Sequence, residues 1–383
     1  MLNINRLMNI KHRLKDFLNL TTHTALGMSL PVWIKFLAKN KFAIDVRALP
    51  KVLFMTGNIV LNSPFQFYEK YRYTKRINTM KVARPIFIIG HPRSGTTYLQ
   101  YVLSKDPNFC FCTTNDALIP NAFLSIGGFT RWILKKSMPA TRPQDNVKAG
   151  ADKPKEEEFA LGSMCTTSLV HGYYFPKNIN KIFNDSVVFE GDSKNNVNIW
   201  KKHLNFFVKK IIYKYKGKRI LLKSPANTGR VKEILELYPD ACFIHIHRNP
   251  YEVYQSNEKL YEKILPILGF QQVDNEFMKG FIIDSYEKMY KKYLNDKLLI
   301  PHDQLIELSY VDFVSSPLEQ LERAYAHLNL GDFEKAKIYL KEEIKDAENY
   351  QKNSYLDIDE SIIKLINEKW SFFFKEYSYP KNN

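Results

Sequence analysis

Short uninterrupted apolar runs alternate along this chain with stretches in which apolar residues recur every three to four positions. Residues 85–89, 109–112, 187–190, 219–222, 242–247 and 304–308 are runs of the first kind. They are rich in β-branched and aromatic side chains and predict buried strands. Helical spacing fills the intervals. Trp200, Leu204, Phe207, Val208, Ile211 and Ile212 form a stripe across 196–215, and Val231, Ile234, Leu235 and Leu237 form another. Residues 251–299 predict two helices, 317–330 an amphipathic helix, and 359–377 a closing helix rich in Phe and Trp. Strand, helix and strand follow one another between residues 219 and 247, the signature of a parallel crossover. The pattern predicts an α/β fold with a central, mostly parallel sheet flanked by helices.

Residues 1–82 differ from the rest. They read as several helices, in which Phe17, Leu18, Ile34, Phe36 and Leu37 sit among Lys11, Arg13, Lys15, Lys35, Lys39 and Lys41, followed by the aromatic and basic run PFQFYEKYRYTKR at 64–76. This segment holds 14 Lys and Arg against Asp16, Asp45 and Glu69, so +11 of the net +16 lies here. Basic helices with apolar faces either lie on anionic membranes or pack on a core with their charges solvated. The most apolar stretch, 25–37, is interrupted by Pro31 and Lys35 and falls short of the ~20 residues a membrane span needs. The expected organisation is a basic helical extension, 1–82, packed on an α/β domain, 83–383, that carries an insert at about 113–185.

Composition narrows the class. A hydrophobic content of 45% excludes global disorder. Cys110, Cys112, Cys165 and Cys242 are too few and scattered for a disulfide framework, and Cys110-x-Cys112 lacks a second pair for zinc. Residues 1–13 are basic without a continuous apolar core, unlike a signal peptide. A cytoplasmic location and no metal are expected, and membrane association through the basic helices stays open beside their packing on the core. No base-stacking module accompanies the charge, so nucleic acid is not an expected partner.

The chemistry concentrates in RPIFIIGHPRSGTTYLQYVL, residues 84–103. A strand runs into a loop bounded by Gly90 and Gly95, and Thr96 opens a helix. That geometry aims backbone N–H groups at an anion. The spacing is that of a Walker A loop except that Thr96 stands where the Lys belongs, and the nearest cation is Arg93. The plainer reading is a strand-to-helix turn whose glycines allow tight packing. Two other strand ends add Lys223-Ser224 and Arg248, with Ser256 eight positions further on. In a parallel sheet ligands bind at the carboxyl ends of the strands. Together these residues make a cationic, hydroxyl-rich rim suited to a ligand with more than one phosphate, on a P-loop-like three-layer fold.

These motifs resemble the sulfotransferases that use 3′-phosphoadenosine-5′-phosphosulfate (PAPS), in particular a bacterial branch related to the tyrosylprotein sulfotransferases. Phe87–Thr97 is similar to the pattern FIxGxPRSGTT, Arg142–Leu161 to RPxDNVxxGxxxPxEDEFAL, and Leu221–Arg230 to LLKSPxHxxR. The segment 309–330 is similar to a late helical segment of the family. The resemblance implies sulfuryl transfer from PAPS to a hydroxyl of a lipid, carbohydrate or small metabolite, by in-line displacement with an acidic general base and no metal. It implies that Arg93, Ser94, Gly95, Thr96 and Thr97 hold the 5′-phosphosulfate, that Arg248 and Ser256 clamp the 3′-phosphate, and that Lys223 stabilises the bridging oxygen. Lys352 resembles a late basic residue near the nucleotide. The base is expected among Glu156, Glu157 and Glu158, with Glu157 the most inward because it shares a helical face with Ala160, Leu161 and Met164. The same three acids also suit a helix N-terminus on dipole grounds alone. Two departures stand out: the stretch 111–115, where the tyrosylprotein branch has its Glu, has none and only Asp116 is near, and Asn227 replaces a common His. The competing readings are a P-loop small-molecule kinase and a non-catalytic nucleotide- or membrane-binding protein.

Overall fold

The computed structural model describes residues 23–139, 141, 148–191, 193–348 and 358–382. Lys352 and residues 142–147 of the motif segment 142–161 lie outside them. Five strands, β1 (Ile86–Ile89), β2 (Phe109–Phe111), β3 (Arg219–Lys223), β4 (Cys242–His247) and β5 (Leu305–Ser309), form one sheet in the order β2-β3-β1-β4-β5. Every neighbouring pair is parallel, and Phe87 is paired with both Leu222 and Phe243. β1 is therefore central, and the strand order reverses beside it, which places the mouth of the sheet at Gly90.

Alternation in β1 divides the core into two layers. Phe87 and Ile89 face one cluster with Trp200, Leu204, Tyr286 and Trp370, from the helices Lys194–Lys214, Asn275–Asp296 and Glu360–Lys369 and the Trp370 that follows. Ile86 and Ile88 face the other, with Leu99, Val102, Leu321 and Leu340. Leu340 belongs to the helix Phe333–Glu348, which was not among the expected elements although Phe333, Ala336, Leu340 and Ile344 recur at helical spacing.

The run 187–190 is not a strand. Asn184–Val188 closes a π-helical turn and Phe189 takes φ 53°. Val187 is nevertheless fully buried, and a Cβ on Gly229 would come within 2.9 Å of its Cγ1. A short buried apolar run looks alike in a strand and in a core turn, so its pattern could not separate them.

The N-terminal helices Leu30–Lys39 and Leu49–Asn78 pack through Trp33, Phe36, Met55 and Ile59 on Tyr174, Phe175 and Phe270. Lys51 Nζ donates to Ile267 O at 2.6 Å, and Ser163 Oγ to Thr24 O at 3.2 Å. Gly27 passes so close to Leu118 that a Cβ would lie 2.0 Å from its carbonyl oxygen, which only glycine permits. This layer therefore rests on the helix Glu157–Met164. Among the described residues no helix is long and apolar enough to cross a membrane.

Candidate functional site

The loop after β1 is fixed from beneath by its own backbone groups. Gly90 N–H donates to Thr228 Oγ1 at 2.7 Å, His91 N–H to Tyr290 OH at 3.2 Å, and Ser94 Oγ to His91 O at 2.8 Å. Gly90 sits at φ 145°, and a Cβ there would meet Ile246 O at 2.4 Å. Gly95 sits at φ 104° over the Tyr310 ring, 2.4 Å from where its Cβ would be. Both glycines are thus dictated by the fold of the loop. The helix Thr96–Leu103 begins with Gly95 and carries no side-chain cap, so its first N–H groups point out of the loop without an intrahelical acceptor.

Arg93 holds positive φ, 76°, unusual for a residue with a side chain. The turn sends its guanidinium across to the helix Pro250–Leu268, where Nε donates to Ser256 Oγ at 2.9 Å. Arg248 reaches back, donating to Arg93 O at 3.3 Å, while its Nε–H meets Glu252 at 2.6 Å and its guanidinium lies 4.5 Å from the centre of the Tyr310 ring. The residues expected to share the two phosphates are therefore joined into one basic edge. Asn257 Nδ2, donating to Pro92 O at 3.0 Å, Thr228 and Tyr290 support it, and none of these three was a candidate site residue in the sequence.

On the other side of the loop, Lys223 ends β3 with its side chain buried. Its Nζ lies 2.6 Å from Glu156 Oε1 and 3.3 Å from Thr97 Oγ1. Cation, carboxylate and loop hydroxyl converge there. Ser224 Oγ, next along the chain, is buried without a hydrogen-bond partner among the described residues.

The three glutamates have separate surroundings. Glu156 is the N-cap of the helix Glu157–Met164 and keeps about a quarter of its side chain, 26%, exposed. Glu157 is buried as its helical face requires, accepting from Lys223 N–H at 3.1 Å and Asn227 Nδ2 at 2.6 Å. Burial raises its pKa to about 7, against the lowering effect of its hydrogen bonds. Glu158 is buried against Arg230, taking Nη1 at 2.6 Å and Nη2 at 3.0 Å, with Ser168 Oγ and Leu169 N–H on the same carboxylate. Burial alone would raise Glu158, but the guanidinium and these donors hold it below the usual range. Glu158 faces away from the rim and belongs to the scaffold. So does Asp116, which closes a capping box with Thr113 and pairs with Lys214 at 2.8 Å. Asn227 and Thr228 precede the helix Val231–Leu237 but do not cap it. They bind Glu157 and Gly90 instead.

Residues 85–335, which contain all five strands and every one of these groups, match the sulfotransferase family. The chain belongs to that family. It is 30% identical over 361 residues, 93% of this chain and 91% of the relative, to the omega-hydroxy-beta-dihydromenaquinone-9 sulfotransferase Stf3 of Mycobacterium bovis, and equally so to that of Mycobacterium tuberculosis (strain CDC 1551 / Oshkosh). Its fold is that of sulfotransferase STF9 from Mycobacterium avium, with a TM-score of 0.65 at 16% identity over 93% of this chain and 98% of that one. STF1 from Mycobacterium tuberculosis H37Rv gives 0.61 at 15% identity over 92% of each. The protein is thus an enzyme that transfers a sulfuryl group to a hydroxyl-bearing acceptor, and the kinase reading gives way. PAPS is the donor that the family implies. Among the described residues no cluster of metal-binding side chains occurs.

Proposed function

We propose that this sulfotransferase carries sulfuryl from PAPS to the hydroxyl of a lipidic acceptor, with Glu156 as the base. The observation that carries the assignment is that Lys223 Nζ lies 2.6 Å from Glu156 Oε1 and 3.3 Å from Thr97 Oγ1. The residues fit the donor: uncapped helix N–H groups, an arginine edge and the orphaned Ser224 hydroxyl all offer hydrogen to oxyanions.

PAPS supplies the sulfuryl group, whose bond to the phosphate oxygen breaks as the bond to the acceptor oxygen forms. The chain's own residues do the rest. Arg93, Ser94, Gly95, Thr96 and Thr97 hold the 5′ end, and Arg248 with Ser256 hold the 3′-phosphate. Lys223 stabilises negative charge on the departing oxygen. Glu156 takes the acceptor proton, since its carboxylate is the exposed one of the three. Glu157 fixes the end of β3 through the Lys223 amide and acts by position.

A lipidic acceptor is supported by the curated relatives, named for a dihydromenaquinone. It is also supported by the aromatic surroundings of Glu156: half-buried Phe159 one turn along, and Tyr173 within electrostatic reach. We also place the enzyme in the cytoplasm at an anionic membrane, with residues 1–82 as the extension that brings it there. Its four buried, unpaired cysteines suit a reducing compartment. The test is incubation with radiolabelled PAPS and separated lipid and polar extracts. Label in the lipid fraction is expected. Label only in the polar fraction overturns the acceptor class, and no label together with no binding of the product nucleotide PAP overturns the whole reading.

A further inference from the structure

The outward face of the helix Leu49–Asn78 departs from what a water-facing helix carries. Its buried side is short of apolar residues, with Val52, Met55, Ile59 and Ile77 pointing inward beside Lys51 and Glu69. Its exposed side is where the large apolar residues collect. Leu53 is 70% exposed, Leu61 73%, Phe67 75% and Tyr71 83%. At 100° per residue these four, with Val60 and Tyr68, fall within an arc of about 120°. Single exposed apolar residues are ordinary, but a contiguous band marks a contact surface.

Charge identifies the partner. The one acid in this helix, Glu69, is 2% exposed and pairs with Lys210. It also receives Ser125 N–H at 2.8 Å, so it is committed to the interior. Lys70, Arg72, Lys75 and Arg76 are exposed at the C-terminal end of the same helix. The exposed side thus combines aromatic and aliphatic side chains with cations and has no exposed acid. Beyond Ser125, the helix Gly127–Ser137 adds Phe129, 63% exposed, and Trp132, 54% exposed, beside Lys136, while its Arg131 and Lys135 are paired with Asp152. A protein partner would have to be strongly acidic to match, whereas an anionic lipid surface supplies both the charge and the apolar depth.

We propose that the outward face of Leu49–Asn78 lies in the interface of an anionic membrane, with Leu53, Leu61, Phe67 and Tyr71 inserted below the headgroups and Arg72 and Lys75 at the phosphates. This deepens the membrane-side reading above by naming the face that docks, and it stands apart from the catalytic assignment. The consequence for the acceptor is geometric. The N-terminal layer is bonded to the helix Glu157–Met164 through Ser29 N–H to Ser163 O at 3.4 Å and Ser163 Oγ to Thr24 O at 3.2 Å. A membrane-held layer therefore holds the carboxylate-bearing helix near the bilayer.

The test uses the full chain and vesicle co-sedimentation, with phosphatidylcholine alone and with added phosphatidylglycerol. The wild type is expected to partition onto the anionic vesicles and far less onto the neutral ones. The triple variant Leu61→Ser, Phe67→Ser, Tyr71→Ser is expected to lose about tenfold or more of that partitioning. Arg72→Glu with Lys75→Glu is expected to abolish the preference for phosphatidylglycerol. PAP affinity should be unchanged in both, which shows that they fold and that the readout is not the donor site. Wild-type partitioning in the triple variant overturns the proposal. So does a wild type that binds neither vesicle but forms a dimer that the triple variant breaks. Binding that survives the triple variant and disappears on deletion of residues 1–22 moves the contact to that segment and overturns it as well.

Discussion

Arg93 donates its Nε–H to the Ser256 hydroxyl at 2.9 Å, although 163 positions separate the two in the chain. One side chain leaves the loop after β1 and the other stands on the helix after β4, so the contact welds the two halves of the expected nucleotide site before any ligand arrives. Arg93 adopts φ 76° to make it. A left-handed residue with a side chain is tolerated where the surroundings over-determine it, at roughly 1–3 kcal/mol.

The first prediction follows from that coupling. Arg93→Ala and Ser256→Ala should each weaken PAP binding, and the double variant should lose less than the two losses added together, by about 1–2 kcal/mol. Calorimetric titration of the four proteins with PAP measures it. Strict additivity would mean that the contact between the two side chains adds nothing to PAP binding.

The glutamates give the second. Glu156→Gln should lower kcat by about 10²–10⁴, the range for removal of a general base, with little change in the KM for PAPS. Glu157→Gln keeps the shape that supports the Lys223 amide, so its kcat should fall roughly ten times less. Steady-state rates for both variants decide between them. If Glu157→Gln is the more damaged, the base is the inward carboxylate.

The rim was legible because its chemistry is local: a loop with two glycines at fixed spacing, and an Arg and a Ser eight positions apart on one strand end and its helix. The strands of the sheet were legible because runs such as IFII are buried on both faces. What stayed hidden depends on contacts between distant segments. Nothing in the local pattern says that Glu158 meets Arg230, 72 positions away, or that Thr228 holds the Gly90 amide across 138 positions. Glu157 was expected to be the most inward of the three acids on helical periodicity, and it shares its burial with Glu158. Inward, however, meant the end of β3, while the N-cap position left Glu156 beside the Lys223 ammonium. The Asn227 departure is likewise a partner effect, for its amide is the donor that Glu157 accepts.

The third prediction concerns pH. Glu157 has a pKa of about 7 in the fold against 4.5 when exposed, chiefly because burial disfavours its charge. The folded chain therefore binds this proton more tightly than the unfolded chain. The stability contributed by the protonated form is full below about 4.5 and is lost as pH rises through about 7. Between those limits the loss is on the order of 3 kcal/mol. Glu157→Gln removes the titration. The stability of the variant relative to wild type should thus rise by that amount between pH 5 and pH 8, as read by denaturant unfolding at both. A difference independent of pH would show that Glu157 ionises as freely in the fold as in solution.

The last prediction separates scaffold from site. Glu158 and Arg230 are a buried pair, with side-chain exposures of 3% and 0%, and Arg230 also donates to Ser186 O at 2.8 Å and lies 4.9 Å from the centre of the Trp200 ring. Removing one partner leaves an uncompensated charge in the core, so Glu158→Leu should destabilise the chain by about 3–5 kcal/mol. Replacing both removes the charge from the interior, and Glu158→Leu with Arg230→Met should recover most of that loss. Unfolding midpoints give the stabilities, and turnover below the unfolding temperature gives the second readout. The double variant should keep a PAP affinity near wild type, because neither residue faces the rim. Its turnover should fall modestly, because Arg230 also donates to Asn227 Oδ1 at 3.3 Å and Asn227 in turn holds Glu157. Loss of turnover as complete as in Glu156→Gln, with stability restored, would give Glu158 a direct part in the chemistry.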